Sequence, residues 1–347
     1  MNSLACAAGS GKNALFDKIE GDMRNLPWVL LGCLLAAPVS AEELERKAET
    51  GTVHFVPAPG KVPSYHQLDE HTFPFEVKPR TELPVAGITI SDLKFPSPVE
   101  SPHEQNNTVY AEYYRPKGKG PFPAVIVLDI LDGGEIVPRT QAGMLAQNGI
   151  AALHVKMAYY GARRPPDKSA RLISPNLLQT LSAVRQTVLD CRRATAWLES
   201  RPEIDANKLG IMGTSLGSFL AALTAESEPK ISKVALLYGG GGFVEGYCDH
   251  PKAKQVVENF AKIGITKDLM KQAIAHADPI TCAANLKGRD VLIIAAKRDD
   301  VVPPKMAEAM WEACGKPKIV WYDTTHYGAV LFVLPAMKQV LTHFQWK

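Results

Sequence analysis

The residues of this chain whose types and spacing best suit a chemical task are Gly213-Thr214-Ser215-Leu216-Gly217, a G-x-S-x-G pentapeptide. The run before it, Lys208 to Met212, reads as a strand, and Phe219 to Ala225 after it as a helix. A serine on a sharp turn between strand and helix projects its hydroxyl clear of the sheet, as a nucleophile requires. Glycines on either side leave room for the neighbouring strand and helix while the serine takes a strained backbone. An unassisted hydroxyl is a weak nucleophile. The chemistry therefore also needs a histidine to take its proton and a carboxylate to orient that histidine.

Both partners have candidates at strand ends. Lys297-Arg298-Asp299-Asp300-Val301-Val302-Pro303 follows the apolar run Val291 to Ala296, which puts an acid, Asp299 or Asp300, at a strand's carboxyl end. Thr325-His326-Tyr327-Gly328 follows the run Ile319 to Tyr322 and precedes the terminal helix. Among the nine histidines His326 alone sits in that loop. His343 falls inside the terminal helix, His154 in a strand, and His250 and His276 in an insertion. An oxyanion formed by attack needs preorganised N–H donors, one of them the amide of Leu216 just after the serine. A second is expected from the loop Asp129-Ile130-Leu131-Asp132-Gly133-Gly134.

These residues must be delivered by a sheet. Ile88 to Phe95 and Thr108 to Tyr114 alternate as an antiparallel pair of opening strands. Ala124 to Leu128 is apolar throughout, as a strand covered on both faces should be. Strand and helix then alternate: a helix over Gln141 to Gln147, a strand over Ile150 to Val155, and a helix whose face carries Leu177, Leu181, Val184, Val188, Cys191 and Leu198. Val234 to Tyr238 and the two later runs complete the series, which is the pattern of parallel βαβ units. The fold class is thus α/β, a mostly parallel central sheet flanked by helices. About 242–287 is too long for a simple crossover and reads as a helical insertion before the acid-bearing strand, placed to cap the site. The hydrolase-like domain is expected over 86–347, with 42–85 an extension lying on the surface.

From about Ile88 to Lys347 the chain resembles the α/β-hydrolase superfamily, and within it the dienelactone-hydrolase and acyl-esterase-like branches. Members commonly carry an acid four residues before a proline, in a D-x-V-V-P pattern, and on that resemblance Asp299 rather than Asp300 is the acid. His-Gly often precedes the second oxyanion donor, which would make it Leu131. This chain departs from the pattern by having Asp129-Ile130 there, with Ile130 the next candidate. Met157 to Pro165 is similar to a Tyr-Tyr-Gly-x-Arg-x-Pro stretch of some α/β-hydrolases, so Tyr160 and Arg163 are candidate substrate contacts. A loop held by arginine to its own backbone is the competing reading. The resemblance implies a Ser215, Asp299, His326 triad cleaving a carboxylic ester of a small molecule or an acylated polysaccharide. The alternatives are a serine peptidase of the same fold and a binding protein on a hydrolase scaffold.

Composition excludes several classes. With 347 residues, 46% of them hydrophobic and 22% charged, the chain can bury a large core. A net charge of +3 and no long basic run make nucleic acid an unsuitable partner. Gly239-Gly240-Gly241-Gly242 lacks the Lys-Ser/Thr and the spacing of phosphate loops and reads as a flexible hinge into the insertion. Metal-binding motifs such as H-E-x-x-H or paired C-x-x-C do not occur, so neither a metal nor another cofactor is implied. Met23-Arg24, the apolar run Trp28 to Ala37 and Pro38-Val39-Ser40-Ala41 form an export signal cleaved before Glu42, with the natural start at Met23. That run is too short to span a membrane. Acylation at Cys33 is the alternative, and a periplasmic or secreted location follows. An oxidising compartment would permit Cys248 to pair with Cys282, against four free thiols.

Overall fold

Strand β5 (Phe122–Leu128) shows why its sequence is apolar at every position. Ala124, Ile126 and Leu128 belong to the core on one face of the sheet, Val125 and Val127 to the core on the other, and all five are buried. The computed structural model describes residues 48–83, 85–167, 169–248 and 254–346. The export signal, Cys33 and His250 lie outside the described residues.

Around β5 run five parallel neighbours: β6 (Ala151–Val155), β7 (Ile204–Thr214), β8 (Ile231–Leu237), β9 (Asp290–Ala296) and β10 (Lys318–Tyr322). They stand in the order β6-β5-β7-β8-β9-β10 and pair in parallel throughout. Helices α1 (Ile136–Gln147) and α8 (Val333–His343) cover the Val125 face, burying Leu145, Ala336 and Val340. Helices α2 (Leu177–Glu199) and α3 (Leu216–Ser227) cover the other, where Trp197 and Leu220 are buried. The helical face read for α2 is buried from Leu181 to Leu198, while Leu177 is exposed at its first turn. Helix α1 starts earlier than expected because Pro138 sits in its first turn, where the missing N–H has no partner to lose.

Within the stretch 42–85, read in the sequence as a surface extension, residues 49–83 supply two strands instead. Strands β1 (Glu49–Phe55) and β2 (His71–Leu83) join β3 (Ile88–Pro96) and β4 (Thr108–Pro116) as an antiparallel half-sheet that docks on β6. The result is a ten-stranded sheet. Strands β1 and β2 bury one face, with Val53, Phe55, Phe73, Phe75 and Val77. Phe75 and Tyr113 both meet Trp197 edge-on, at 6.2 and 5.1 Å, which ties the added strands to α2. Pro74 and Pro79 interrupt the alternation and mask it in the sequence.

Between β8 and β9 the chain is helical, as expected: α4 (Phe243–Cys248), α5 (Lys254–Lys262) and α6 (Lys267–Ile274), then two 3-10 turns. Its entry is not a loose hinge. A Cβ on Gly239 would lie 2.3 Å from Ser218 Oγ, on Gly240 2.4 Å from the backbone of Met306, and on Gly241 2.9 Å from that of Ile280. These glycines let three segments pack backbone to backbone, and the carboxylate of Asp278 clamps the end of the run by accepting the amides of Gly242 and Phe243. Cys191, Cys282 and Cys314 are free thiols, so the Cys248–Cys282 pairing is not made. Among the described residues no helix is long and apolar enough to cross a membrane.

Gly240→Ala is expected to destabilise the fold by roughly 1–3 kcal/mol through overpacking against Met306. Gly143→Ala in α1, with open space around its Cβ, should raise stability by about 0.5–1 kcal/mol. Urea unfolding of the two variants checks the contrast.

Candidate active site

Ser215 occupies the single-residue turn between β7 and α3, with φ 53 and ψ −117. Space dictates the pentapeptide around it. A Cβ on Gly213 would sit 2.0 Å from the carbonyl oxygen of Gly217, and one on Gly217 would sit 2.5 Å from that of Asp129. The Ser215 amide is spent on Leu237 O in the neighbouring strand at 2.8 Å, which anchors the turn from below. Its hydroxyl meets His326 Nε2 at 2.9 Å.

His326 follows β10 and opens a 3-10 turn, Tyr327–Phe332, that leads into α8. Its Nδ1 is 2.7 Å from Asp299 Oδ2. Asp299 is buried in the loop after β9, and its Oδ1 accepts the amides of Val301 and Val302 at 2.9 and 2.7 Å. One carboxylate oxygen is thus fixed by backbone and the other is left for the imidazole. Asp300, the alternative acid, is exposed. Ser215, His326 and Asp299 form an unbroken chain of two hydrogen bonds, and an arrangement of this kind can draw a proton from a hydroxyl and hold the resulting imidazolium.

The two candidate oxyanion donors lie on the segments that Gly217 brings together. Leu216 is the first residue of α3, so its amide has no partner within the helix. In the loop after β5 the Ile130 amide donates to Asp129 Oδ1 at 2.7 Å and the Asp132 amide to the Tyr160 hydroxyl at 3.1 Å. Leu131 lies between these two tied amides.

Neither residue of the loop after β6 faces a substrate as expected. Arg163 is wholly buried: it pairs with Asp190 at 2.8 Å and donates to the carbonyls of Asn106 and Lys156. Tyr160 is buried too, and its hydroxyl serves the β5 loop. The competing reading, a loop held by arginine to backbone, describes Arg163. The backbone strain at this edge of the sheet has no local signal in the sequence. Asp132, Glu135, Tyr159 and Tyr238 have positive φ like Ser215, and all stand just beyond the carboxyl ends of β5, β6 and β8.

The insertion reaches the site from the side of the acid. The Tyr247 hydroxyl donates to Val301 O at 3.0 Å, and the rings of Phe243 and Phe219 lie 4.8 Å apart. A cavity of about 450 Å³ opens behind these contacts, between α4, α6 and α7 (Pro304–Ala313), lined by Gly242, Gly246, Ala275, Ile280 and Met306 among others. Ser215, Asp299 and His326 do not line it. Among the described residues no cluster of three or more His, Cys, Asp or Glu side chains could hold a metal ion.

The family model described as prolyl oligopeptidase family matches residues 182–325, a stretch that holds Ser215 and Asp299 and stops one residue before His326. Two curated sequences, uncharacterized proteins of two Mycobacterium tuberculosis strains, are 28% identical over 171 residues, 46% of this chain and 38% of theirs. The match therefore spans little more than a third of those relatives. Among solved structures, an acetyl xylan esterase from Paenibacillus sp. R4 superposes with a TM-score of 0.61 at 21% identity, covering 78% of this chain and 89% of its own. Acetyl xylan esterase 1 from Thermoanaerobacterium sp. JW/SL YS485 gives 0.57 at 20% identity, covering 78% and 88%. At these identities the likeness is one of fold.

Removing one partner of a buried ion pair leaves the other charge uncompensated, so Arg163→Met should cost about 3–5 kcal/mol of stability. Chemical denaturation would register that loss. An unchanged midpoint would mean that the pair carries no weight.

Proposed function

We propose that this chain, which belongs to the α/β-hydrolase superfamily, is a serine hydrolase that cleaves carboxylic esters through an acyl-enzyme. The observation that carries the reading is the continuous hydrogen-bond chain from Ser215 Oγ through His326 to Asp299, at 2.9 and 2.7 Å.

Ser215 Oγ attacks the ester carbonyl as His326 Nε2 takes the hydroxyl proton. Asp299 keeps Nδ1 as a donor, so that Nε2 is free to accept, and stabilises the imidazolium. The carbonyl oxygen becomes an oxyanion, received by the amides of Leu216 and Leu131. Collapse of the tetrahedral intermediate breaks the ester C–O bond, and His326 returns the proton to the departing alkoxide. Water, deprotonated by the same imidazole, then attacks the acyl-enzyme, and Ser215 leaves with the proton restored.

The substrate class is a small-molecule ester or an acyl group carried on a polysaccharide. Two structural neighbours bear the name acetyl xylan esterase, which is in line with that class. A second reading, a serine peptidase, is favoured by the prolyl oligopeptidase family match over 182–325. The same residues would serve it, with an amine as leaving group. Export behind a signal cleaved before Glu42 completes the proposal, and the N-terminal sequence of the processed protein tests it.

Wild type is expected to label with a fluorophosphonate probe and to hydrolyse p-nitrophenyl acetate far faster than a peptide anilide, and Ser215→Ala to do neither. Preference for the anilide would move the assignment to the peptidase, and labelling that survives in Ser215→Ala would remove the serine from the mechanism. Asp299→Asn should lower kcat by about 10⁴, because the imidazole is then held in the wrong tautomer. Asp300→Asn, an exposed neighbour, should leave kcat within about threefold. Steady-state kinetics on the pair separates the two acids.

A further inference from the structure

Asp129 directly follows β5 and is 2% exposed, yet no step of the proposed hydrolysis uses it. Its Oδ1 accepts the amide of Ile130 at 2.7 Å and its Oδ2 that of Glu135 at 3.2 Å, so one carboxylate ties the first residue of the loop to the last. The loop needs a tie. Asp132, Gly134 and Glu135 have φ of 48, 59 and 69, and for the two that are not glycine this backbone is unfavourable. Gly133 makes room for the tie, since a Cβ there would come within 2.7 Å of Asp129 Oδ1 and 2.2 Å of Ile130 Cγ1. The outer side of the loop is held by the Tyr160 hydroxyl on the Asp132 amide and by Arg164 paired with Asp132 at 2.5 Å. Lys156 and Arg139 both pair with Glu135, each at 2.5 Å.

We infer that Asp129 is a positioning residue for the oxyanion hole: by gripping the amides of Ile130 and Glu135, its ionised carboxylate holds the loop so that the Leu131 amide serves the oxyanion. The inference rests on the serine-hydrolase reading and adds a pH-dependent grip to it. An ionised carboxylate accepts with both oxygens. Protonation puts a hydrogen on one of them, which then meets an N–H donor to donor, and one of the two ties is lost. Burial pushes the Asp129 carboxyl up to about 6; the Glu135 charge adds to that, while the Ile130 and Glu135 amides and the Lys156 charge oppose it. Glu135, Lys156 and Tyr160 are the ionisable groups that face it. The grip therefore loosens near pH 6, within reach of an assay, instead of near the ordinary aspartate value of about 3.9.

The test is the pH dependence of kcat and kcat/KM on p-nitrophenyl acetate for wild type, Asp129→Asn and Tyr160→Phe. Asparagine offers one acceptor where two are needed, so kcat should fall by about tenfold or more, as for a displaced oxyanion donor, with KM within about twofold. Wild-type log kcat/KM should fall more steeply than one unit per pH unit below pH 6, because Asp129 takes up a proton there on top of the acid limb that the two proteins share. Asp129→Asn should fall with unit slope. Tyr160→Phe, which removes one of the two outer ties, should lower kcat less and keep the steep limb. A kcat for Asp129→Asn within twofold of wild type, or equal slopes in the two proteins, overturns the inference. If Asp129→Asn does not fold, the wild-type limb decides alone, and unit slope overturns it. Failure of the underlying reading looks different, because the wild type would then neither hydrolyse the ester nor label at Ser215.

Discussion

Two glycines let backbone touch backbone at the turn that carries Ser215, and the rest of the site is arranged around that contact. Gly213 brings β7 against the first turn of α3, and Gly217 brings α3 against the end of β5. The second approach matters as much as the first. It sets the N-terminus of a helix, with unpaired amides and the positive end of its dipole, beside the loop that follows β5. On the proposed mechanism the oxyanion then meets donors already in place, and none has to reorganise as charge develops. Any side chain at either position would force the helix away from the sheet and separate the two sources of N–H.

The partners of Ser215 follow from parallel topology. Strands that pair in parallel present their carboxyl ends at one edge, so residues far apart in the chain converge there without long connections. Ser215 after β7, Asp299 after β9 and His326 after β10 come together in this way. The antiparallel half-sheet of β1 to β4 takes no direct part. It covers the open side of β6 and, through Phe75 and Tyr113 against Trp197, fixes the long helix α2.

Much of this was legible in the sequence where one physical signal dominates. The fully apolar runs of the inner strands, the G-x-S-x-G turn and the acid and histidine at later strand ends each reflect a constraint local to a few residues. What escaped depends on distant partners. Strands β1 and β2 bury one face only, and prolines break their alternation, so their place in the sheet shows only once β3 lies beside them. The glycine run 239–242 reads locally as freedom, but it is close packing against Ser218, Met306 and Ile280, none of them near in sequence. Arg163 looked like a ligand for substrate because nothing local announces Asp190, which lies a helix away. Asp129 stands out in the sequence as a departure from the usual His-Gly. Its grip on two amides of its own loop depends on left-handed turns that the residue types Asp132 and Glu135 do not advertise.

Among the described residues, five other than glycine with left-handed backbone, Asp132, Glu135, Tyr159, Ser215 and Tyr238, share the carboxyl edge of the sheet, and only Lys316 lies elsewhere. Each strained position of this kind costs on the order of 1–3 kcal/mol, and the two cores beneath must supply the surplus that keeps it folded. Heat resistance and the proposed catalysis are therefore in competition within the same few residues. A laboratory selection for thermal tolerance alone would be drawn to relax this edge, with glycine or a rebuilt loop, and would return robust proteins that have lost the shape of the site. Selection that retains function would instead find its gains far away, in the half-sheet and along α2, where the backbone carries no such load.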